Sequence, residues 1–242
     1  MIRLRSALFT VWLYVVTAGM ALLWLPSLPL PRRVLRFGMR RHAEAIAFGL
    51  RWIVGARIEV RGLEHAPAGS AVIAAKHQGM IDTIAPFGFL SDPCFVMKRE
   101  LSRLPLYGWI AWKADSIVVD REAGAAALRR LVVDARDRLA DGRQIVIFPE
   151  GTRQRPGSPP DYKPGVAALY RELNGPCHLM ATNSGACWAG GGTPFRPGVI
   201  VFEFLEPIPP GLKRGEFMRE LERRLEAASS ALPQDHVIPD SA

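Results

Sequence analysis

Cysteine is scarce in this 242-residue chain, and the motifs of several large enzyme classes are missing. The three cysteines, Cys94, Cys177 and Cys187, include no C-x-x-C pair, so the sequence predicts neither a disulfide framework nor a zinc site and favours a reducing, cytosol-facing compartment. No G-x-S-x-G, G-x-G-x-x-G or G-x-x-x-x-G-K-[ST] motif occurs, which excludes the usual serine elbow, dinucleotide fold and phosphate loop. Clustered carboxylates or histidines with the spacing of metal ligands are also lacking, so we expect no metal site and no resident cofactor.

Acidic residues are nearly absent from the first quarter of the chain. Residues 1–57 contain nine arginines and a single acid, Glu44, whereas residues 58–242 contain 22 basic and 22 acidic residues. The net charge of +8 therefore belongs to the N-terminal segment. A nucleic-acid-binding protein usually carries its basic excess on the folded domain, so we expect no nucleic-acid partner. Arginines that flank an apolar stretch instead favour contact with anionic phospholipid.

Charge of either sign is absent from residues 6–31. A continuous helix is predicted over residues 4–25, about 30 Å long, and the prolines at positions 26, 29 and 31 end it. A cleaved signal peptide is one interpretation, but no A-x-A site follows and the next stretch is basic. A single spanning helix and a hairpin that enters one leaflet and returns both stay open. Residues 34–57 mix arginines with large apolar residues, as an interfacial helix does, and the arginines on both sides leave the positive-inside rule undecided.

After residue 57 short β-rich runs alternate with longer helical ones. This pattern predicts an α/β domain, 58–242, with a mostly parallel central sheet flanked by helices, preceded by a membrane-anchoring helical segment, 1–57. We expect removal of residues 1–57 to leave a folded domain that acts poorly on a bilayer substrate. The strands are predicted at 56–62, 71–76, 93–98, 116–120, 144–149, 177–183 and 199–208, and the helices at 81–90, 123–142, 165–174 and 217–230.

Polar or ionisable groups follow five of the predicted strands, where open α/β sheets bind their ligands. His77 and Asp82 follow the second strand. Five residues turn a regular helix by about 500°, so this pair can meet only if His77 lies in a turn and Asp82 in the first helical turn. A carboxylate on one ring nitrogen would then raise the basicity of the other. The alternative is a loop histidine and a helix N-terminal aspartate without a joint role.

Two further strand ends carry cations. The segment FPEGTR, residues 148–153, follows a buried strand and places Glu150 and Arg153 around Gly151. Glycine permits close backbone approach, and arginine can bind a phosphate or carboxylate through two parallel hydrogen bonds. Lys98 and Arg99 follow another strand. Each group taken alone is equally compatible with a tight turn or a solvated charged face.

In this order and spacing, the motifs resemble those of the 1-acylglycerol-3-phosphate acyltransferase family over residues 60–210. The four blocks are H-x-x-x-x-D at 77–82, KRELSRLPLYGW with SIVVDR at 98–109 and 116–121, FPEGTR at 148–153, and HLMATNSGACW at 178–188. Two positions depart from the family pattern, His178 where proline is common and Asp115 near a common glycine. The resemblance implies the glycerolipid acyltransferase fold and an N-terminal membrane segment.

The resemblance also implies the roles of individual residues. His77 would be the general base that takes the proton from the acceptor hydroxyl, and Asp82 would orient it. The sn-2 oxygen of 1-acylglycerol 3-phosphate would attack an acyl thioester directly, without an acyl-enzyme, and phosphatidic acid would be the product. Backbone N–H groups near Gly79 or at the following helix start would stabilise the oxyanion. The substrate-binding residues would be Lys98, Arg99, Glu150, Gly151, Thr152 and Arg153, with the cations holding the phosphate and Glu150 orienting them or touching the glycerol.

The acyl donor is left open between acyl-CoA and acyl carrier protein, each a co-substrate. Four arginines on the predicted helix 123–142 could bind an acidic carrier protein or form a solvated face. We expect membrane lipids as partners, namely lysophosphatidic acid and anionic phospholipid, and a location on the inner or plasma membrane with the catalytic domain on its cytoplasmic side. The alternatives are an acyltransferase for another lyso-lipid such as a lyso-aminolipid, and a non-catalytic membrane-tethered lipid-binding protein.

Overall fold

A seven-stranded, mostly parallel sheet forms the centre of the computed structural model, which describes residues 1–24, 26, 29–103, 107–188 and 194–234. The strand order is β1-β7-β6-β2-β5-β3-β4. The β6–β7 pair is antiparallel and the other neighbours are parallel, so β1 and β7 run opposite to the remaining five. The predicted fold class and all seven predicted strands are confirmed. The strands are β1 Ala56–Arg61, β2 Ala71–Ala75, β3 Pro93–Lys98, β4 Ile117–Val119, β5 Gln144–Ile147, β6 Cys177–Thr182 and β7 Gly198–Ile208.

Alternate side chains of the central strands pack into two separate apolar clusters, one on each face of the sheet. In β2, Val72 and Ala74 face one cluster, and Ile73 and Ala75 face the other. The first face is covered by α5, α6 and α8, and the second by α1, α2 and residues 80–90. The helices are α1 Ile2–Trp24, α2 Arg32–Gly49, α3 Pro86–Phe89, α4 Tyr107–Lys113, α5 Gly124–Ala140, α6 Gly165–Leu173, α7 Ser184–Cys187 and α8 Arg214–Ala231.

The predicted helix over residues 81–90 is wrong in its continuity. A 3-10 turn at Met80–Thr83 precedes the single turn of α3, which begins at Pro86. Proline lacks the amide hydrogen that a continuing helix would use and is tolerated only in a first turn. The break at Pro86 leaves Asp82 in the short turn directly after His77.

The N-terminal hairpin of α1 and α2 is one layer of the fold. Phe9 is fully buried, and its ring lies 5.5 Å from that of Trp188 and 4.7 Å from that of Phe195. Ser6 Oγ accepts a hydrogen bond from the Phe195 amide at 3.0 Å. Ile46 of α2 belongs to the same apolar cluster. Removal of residues 1–57 would uncover this face of the sheet, so we expect the rest of the chain to lose stability without them.

A buried aspartate connects the hairpin to the sheet edge. Asp92, just before β3, lies 3.0 Å from Arg32 and 3.3 Å from Arg36 of α2. On its other side is Arg143, which is 1% exposed and also donates to the Asp115 carbonyl at 3.0 Å. Because Arg143 is buried, its charge would lose its partners if these strands were arranged differently, which would destabilise the fold. Asp92 therefore fixes where the start of α2 sits on the domain.

Candidate active site

The carboxyl ends of the parallel strands bring the predicted motifs to one edge of the sheet. His77 follows β2, the FPEGTR segment follows β5, Lys98 ends β3, and Arg121 comes two residues after β4. β2 and β5 are neighbours at the centre of the sheet, with β3 and β4 next to β5. The site therefore occupies the position where open α/β sheets bind ligands.

His77 and Asp82 form a buried pair. His77 Nδ1 lies 3.0 Å from Asp82 Oδ2, and the same oxygen accepts the amide hydrogens of Gln78 and Gly79 at 2.7 and 2.8 Å. Asp82 is fully buried and His77 is 9% exposed. An ionised carboxylate is an acceptor only, so Nδ1 carries the proton and Nε2 is left as the basic nitrogen. The turn that begins at Gly79 provides the geometry that the sequence required of this pair.

The His77 ring is also fixed by the segment after β5. It stacks on Phe148, with ring centroids 4.1 Å apart and planes inclined by 18°. The Gln154 amide donates to the His77 carbonyl at 2.8 Å. Between them, Gly151 has a φ of +67°, which favours glycine, and its carbonyl accepts from Arg121 Nη2 at 2.7 Å. The FPEGTR turn thus contacts His77 through Phe148 and Arg121 through the Gly151 carbonyl.

Glu150 lies beneath the site in a buried ion-pair network. Its Oε1 is 2.5 Å from Lys76 Nζ, and its Oε2 accepts the His77 amide at 2.8 Å. Lys76 Nζ also lies 2.7 Å from Glu226 Oε1 of α8, and Tyr162 donates to that oxygen at 2.9 Å. Burial raises the pKa of the Glu150 carboxyl, and the Lys76 ammonium opposes that rise. The network connects the backbone of the catalytic histidine candidate to the C-terminal helix.

A single cavity of about 1110 Å³ extends from this edge of the sheet to the hairpin. That is above the upper end of the range of about 300–1,000 Å³ typical of small-molecule sites. The part of its wall that the strand ends and their loops form carries His77 and five cations, and the part that α1, α2, α3 and α4 form is mostly apolar and includes Leu13, Met20, Leu35 and Phe87. Among the residues that the structure describes, no acidic side chain lines the cavity. The cations are Lys98, Arg121, Arg153, Arg155 and Lys163.

The structure places most of the predicted site residues on the cavity wall. Lys98, Gly151, Thr152 and Arg153 line it together with His77, and Asp82 stands behind the histidine. Two predicted substrate-binding residues take other places. Glu150 is 1% exposed and points at Lys76, so contact with a glycerol is excluded in this arrangement. Arg99 is half exposed and pairs with Asp120 outside the cavity.

Of the expected oxyanion donors, near Gly79 or at the following helix start, the Gly79 amide itself is placed differently. The Gly79 amide donates to Asp82 Oδ2, so it is already used in holding the catalytic pair. A Cβ at position 79 would lie 2.4 Å from the Trp188 carbonyl oxygen, which explains why glycine is needed there. Gly79 therefore acts on the backbone that carries His77 rather than on the reacting carbonyl.

Sequence reasoning gave no role to four cations at or beside the site, two of which lie at strand ends. Arg121 lines the cavity and binds the Gly151 carbonyl, and Lys76 binds Glu150. Lys76 is the last residue of the predicted strand 71–76 and Arg121 directly follows the predicted strand 116–120, so the rule that located His77 could have assigned them to the site. Arg155 and Lys163, which also line the cavity, lie in the Pro/Gly-rich loop after FPEGTR and carry no such signal.

The fourth block and the Asp115 departure have structural explanations. Asn183 Oδ1 accepts the Val201 amide at 2.7 Å, and the Gly185 amide donates to Gln78 Oε1 at 3.0 Å. The block therefore supports the turn next to His77. Asp115 has a φ of +57°, a conformation that favours glycine. Its carboxylate binds Arg138 Nη2 at 2.7 Å, which compensates for the missing glycine.

Within residues 1–24, 26, 29–103, 107–188 and 194–234, no three His, Cys, Asp or Glu side chains are grouped so that they could hold a metal ion.

Known proteins share this fold and resemble this chain in sequence. Residues 57–186 match the family model described as Acyltransferase, so the fold and site belong to an acyltransferase. The chain is 33% identical to the 1-acyl-sn-glycerol-3-phosphate acyltransferase of Pseudomonas aeruginosa over 202 residues, which cover 81% of this chain and 78% of that protein. This chain belongs to the 1-acyl-sn-glycerol-3-phosphate acyltransferase family.

Other relatives carry the same enzyme name or share the fold. The enzyme of the same name from Limnanthes douglasii is 29% identical over 75% of this chain and 64% of its own length. The human 1-acyl-sn-glycerol-3-phosphate acyltransferase alpha is 31% identical over 50% of this chain and 43% of its own length. The chain thus spans less than two thirds of the plant and human proteins. The crystal structure of PlsC from Thermotoga maritima, an acyltransferase for 1-acyl-sn-glycerophosphate, shares the fold with a TM-score of 0.76 and 20% identity, over 96% of this chain and 98% of that one.

Proposed function

We propose that this enzyme transfers a fatty acyl group from a thioester, acyl-CoA or acyl carrier protein, to the sn-2 hydroxyl of 1-acylglycerol 3-phosphate. One observation carries the proposal: the histidine of a histidine–aspartate pair lines a cavity whose wall combines five cations with a mostly apolar chamber formed by the helices. A lysophosphatidate has this same division, with a phosphate at one end and an acyl chain at the other. The names of the relatives support the same substrate.

The reaction follows from the tautomer that Asp82 imposes on His77. Nε2 accepts the hydroxyl proton as the acceptor oxygen attacks the thioester carbonyl. The C–S bond then breaks, and the departing thiolate takes the proton back from Nε2, so no acyl-enzyme forms. Asp82 Oδ2 stabilises the imidazolium between the two steps from 3.0 Å. The three buried cysteines take no part.

The cations on the cavity wall would hold the acceptor phosphate. Arg153 and Arg121 have planar guanidinium groups suited to bidentate contact with phosphate, and Lys98 adds a point charge. Since no acidic side chain among the described residues lines the cavity, these cations are not neutralised from within it. Arg121 has the further role of holding the Gly151 carbonyl. The head of the acceptor would then lie next to His77, with its chain in the apolar chamber.

The hairpin would attach the enzyme to one leaflet. By length and composition α1 could cross a membrane. However, Phe9 packs on Trp188 and Phe195, Trp12 donates to the Ala45 carbonyl, and Thr17 bonds His42. The Phe9 contacts hold α1 against the domain, and the Trp12 and Thr17 bonds hold it against α2, so the hairpin lies on the domain as one unit. We therefore infer monotopic attachment with the exposed apolar residues of α1 in the lipid, and the three free cysteines favour the cytoplasmic side.

A purified, detergent-solubilised enzyme tests the reaction. With 1-acylglycerol 3-phosphate as acceptor and either donor, we expect phosphatidic acid formation, and the His77→Ala variant should lose about 10²–10⁴-fold in kcat, the range for a general base. His65→Ala is a matched control, because His65 is partly exposed near the opposite sheet edge and does not line the cavity. Equal kcat in wild type and the His77 variant would overturn the assignment.

Acceptor identity is tested through Arg153. Arg153→Glu should abolish use of the phosphate acceptor through a large rise in KM, whereas Arg171→Glu, which reverses a surface charge 72% exposed on α6, should not. An unchanged KM for lysophosphatidate, with activity on a lyso-aminolipid, would favour the alternative acceptor. No transfer to either acceptor by a folded sample would favour the lipid-binding alternative.

A further inference from the structure

An exposed aromatic face on α4 is unexplained by the chemistry of the site. Trp109 is 57% exposed and Trp112 is 76% exposed. Three residues apart, they lie on the same side of this short helix. Tryptophan carries a large apolar area with one polar handle, so it is enriched where a surface is apolar on one side and wet on the other. Such a pair indicates an interaction surface.

The α4 face borders the same cavity as the hairpin. Trp109 and Leu101 line the cavity and are also exposed, and so are the lining residues Tyr14 of α1 and Met80. Residues that both line a cavity and reach solvent mark its mouth. The mouth therefore has α1 on one rim and α4 with the preceding turn on the other. Beyond the rim, α1 continues as an exposed apolar surface that includes Val11, Val15 and Leu22.

The charge around α4 suits an anionic surface. Arg103 and Lys113 flank the two tryptophans. Lys98 precedes the 3-10 turn Arg99–Arg103, whose first residue is paired with Asp120. In residues 98–113 the only acid is Glu100. Basic residues next to exposed tryptophans are typical of segments that lie at the level of lipid headgroups.

We propose that α4 is a second membrane-docking element, with Trp109 and Trp112 seated in the headgroup region of the leaflet that holds the hairpin. The occupant is a bilayer with anionic lipid, because this face continues the exposed apolar surface of α1 across the cavity mouth. Contact at both rims would turn the mouth toward the lipid, so that a lysophospholipid enters without crossing water. This rests on the proposed function in taking the hairpin as membrane-bound and the substrate as a lysophospholipid.

The buried native thiols make a selective label possible. All three cysteines are buried, and burial raises the pKa of each thiol. In the full chain, Trp112→Cys is labelled with an environment-sensitive fluorophore and mixed with vesicles that contain about 30% phosphatidylglycerol. Val15→Cys, on the exposed side of α1, is the positive comparison, and Leu63→Cys, 62% exposed beside β1 at the far sheet edge, is the control. Acyl transfer with detergent-dispersed substrate is measured for each protein.

We expect a blue shift and quenching by lipid-borne quenchers at positions 112 and 15, and neither change at position 63. We also expect Trp112→Ser to weaken vesicle binding about tenfold, and Leu63→Ser to change it less than about twofold. A label at position 112 that stays in water while the label at position 15 is buried would overturn the α4 proposal and leave the hairpin as the anchor. If Trp112→Ser binds vesicles as the wild type does but no longer transfers acyl groups from acyl carrier protein, while transfer from acyl-CoA is kept, the proposal is also overturned. The α4 face would then be a protein-docking face. Each protein is also expected to transfer acyl groups to detergent-dispersed substrate at the wild-type rate. If it does, either result bears on membrane docking and not on the proposed function.

Discussion

Replacement of Lys76 by methionine would leave a buried carboxylate without its cation. Lys76 and Glu150 have side chains 6% and 0% exposed, and their charged atoms lie 2.5 Å apart. Removing one partner of such a pair costs about 3–5 kcal/mol, because the other charge stays buried and uncompensated. For a chain of this size, that corresponds to a fall in Tm of about 6–20 °C. Since Glu150 also holds the His77 amide, we expect kcat to fall more than KM rises.

The pH dependence of this loss has a definite sign. The pKa of Glu150 is already raised by burial and would rise further without Lys76. A carboxyl with a folded pKa above its unfolded one binds more protons when folded, so the variant regains stability as the pH falls through that pKa. Urea unfolding of Lys76→Met near pH 5 and pH 8 should show the larger deficit at pH 8.

Two controls make this prediction sharp. Arg130→Met breaks an ion pair of 2.9 Å with Asp134, but Arg130 is 73% exposed, so its loss should cost less than about 1 kcal/mol. The double variant Lys76→Met with Glu150→Gln removes both buried charges and should lose less stability than the sum of the single variants. If Lys76→Met costs no more than Arg130→Met, the reasoning from burial is refuted.

Two other features give measurable predictions. Burial raises the pKa of Cys177 to about 12 and that of Cys187 to about 11, so the folded protein should resist iodoacetamide at pH 8 and react fully in denaturant, as followed by mass spectrometry. Because these folded pKa values exceed those of free thiols, the free energy of unfolding should fall as pH rises from about 9 toward 12; rapid alkylation of the folded protein would contradict this. At Asp115, both Gly and Ala lose the bond to Arg138, but only Gly relieves the positive φ. Asp115→Ala should therefore be less stable to urea than Asp115→Gly by about 1 kcal/mol, and equal stability would show that no strain is present.

The strands and the catalytic pair could be predicted from the sequence because their signals are local. Each buried strand is a short apolar run with a polar residue at its end, and His77 and Asp82 lie five residues apart within one block. Glu226 could not be assigned to the site, because it meets Lys76 across 150 positions only through the packing of α8. Glu150 and Arg153 are three residues apart in one motif, yet one points under the sheet edge and the other into the cavity, which composition does not reveal.

In the hairpin, too, the sequence does not reveal which residues are buried in the protein. Leu8 and Phe9 are adjacent apolar residues in an uncharged run, yet Leu8 is 53% exposed and Phe9 is fully buried. Hydropathy measures the tendency of a residue to leave water, but it does not indicate whether lipid or protein then surrounds the residue. The sequence therefore predicts an apolar helix along the whole run, but it does not predict that one side of this helix serves as core.

The helices α1 and α2 form walls of the cavity and also carry the exposed apolar surface. Contact with the membrane and the shape of the acyl chamber therefore depend on the same two helices. Met20 and Leu35 line the chamber, and Leu22 and Phe37, only two positions away in the same helices, are exposed. A shift or tilt of the hairpin that suits a thicker or thinner membrane would reshape the chamber at the same time. Adaptation of the enzyme to a new lipid environment and its selection among acyl chains are thus expected to change together rather than one at a time.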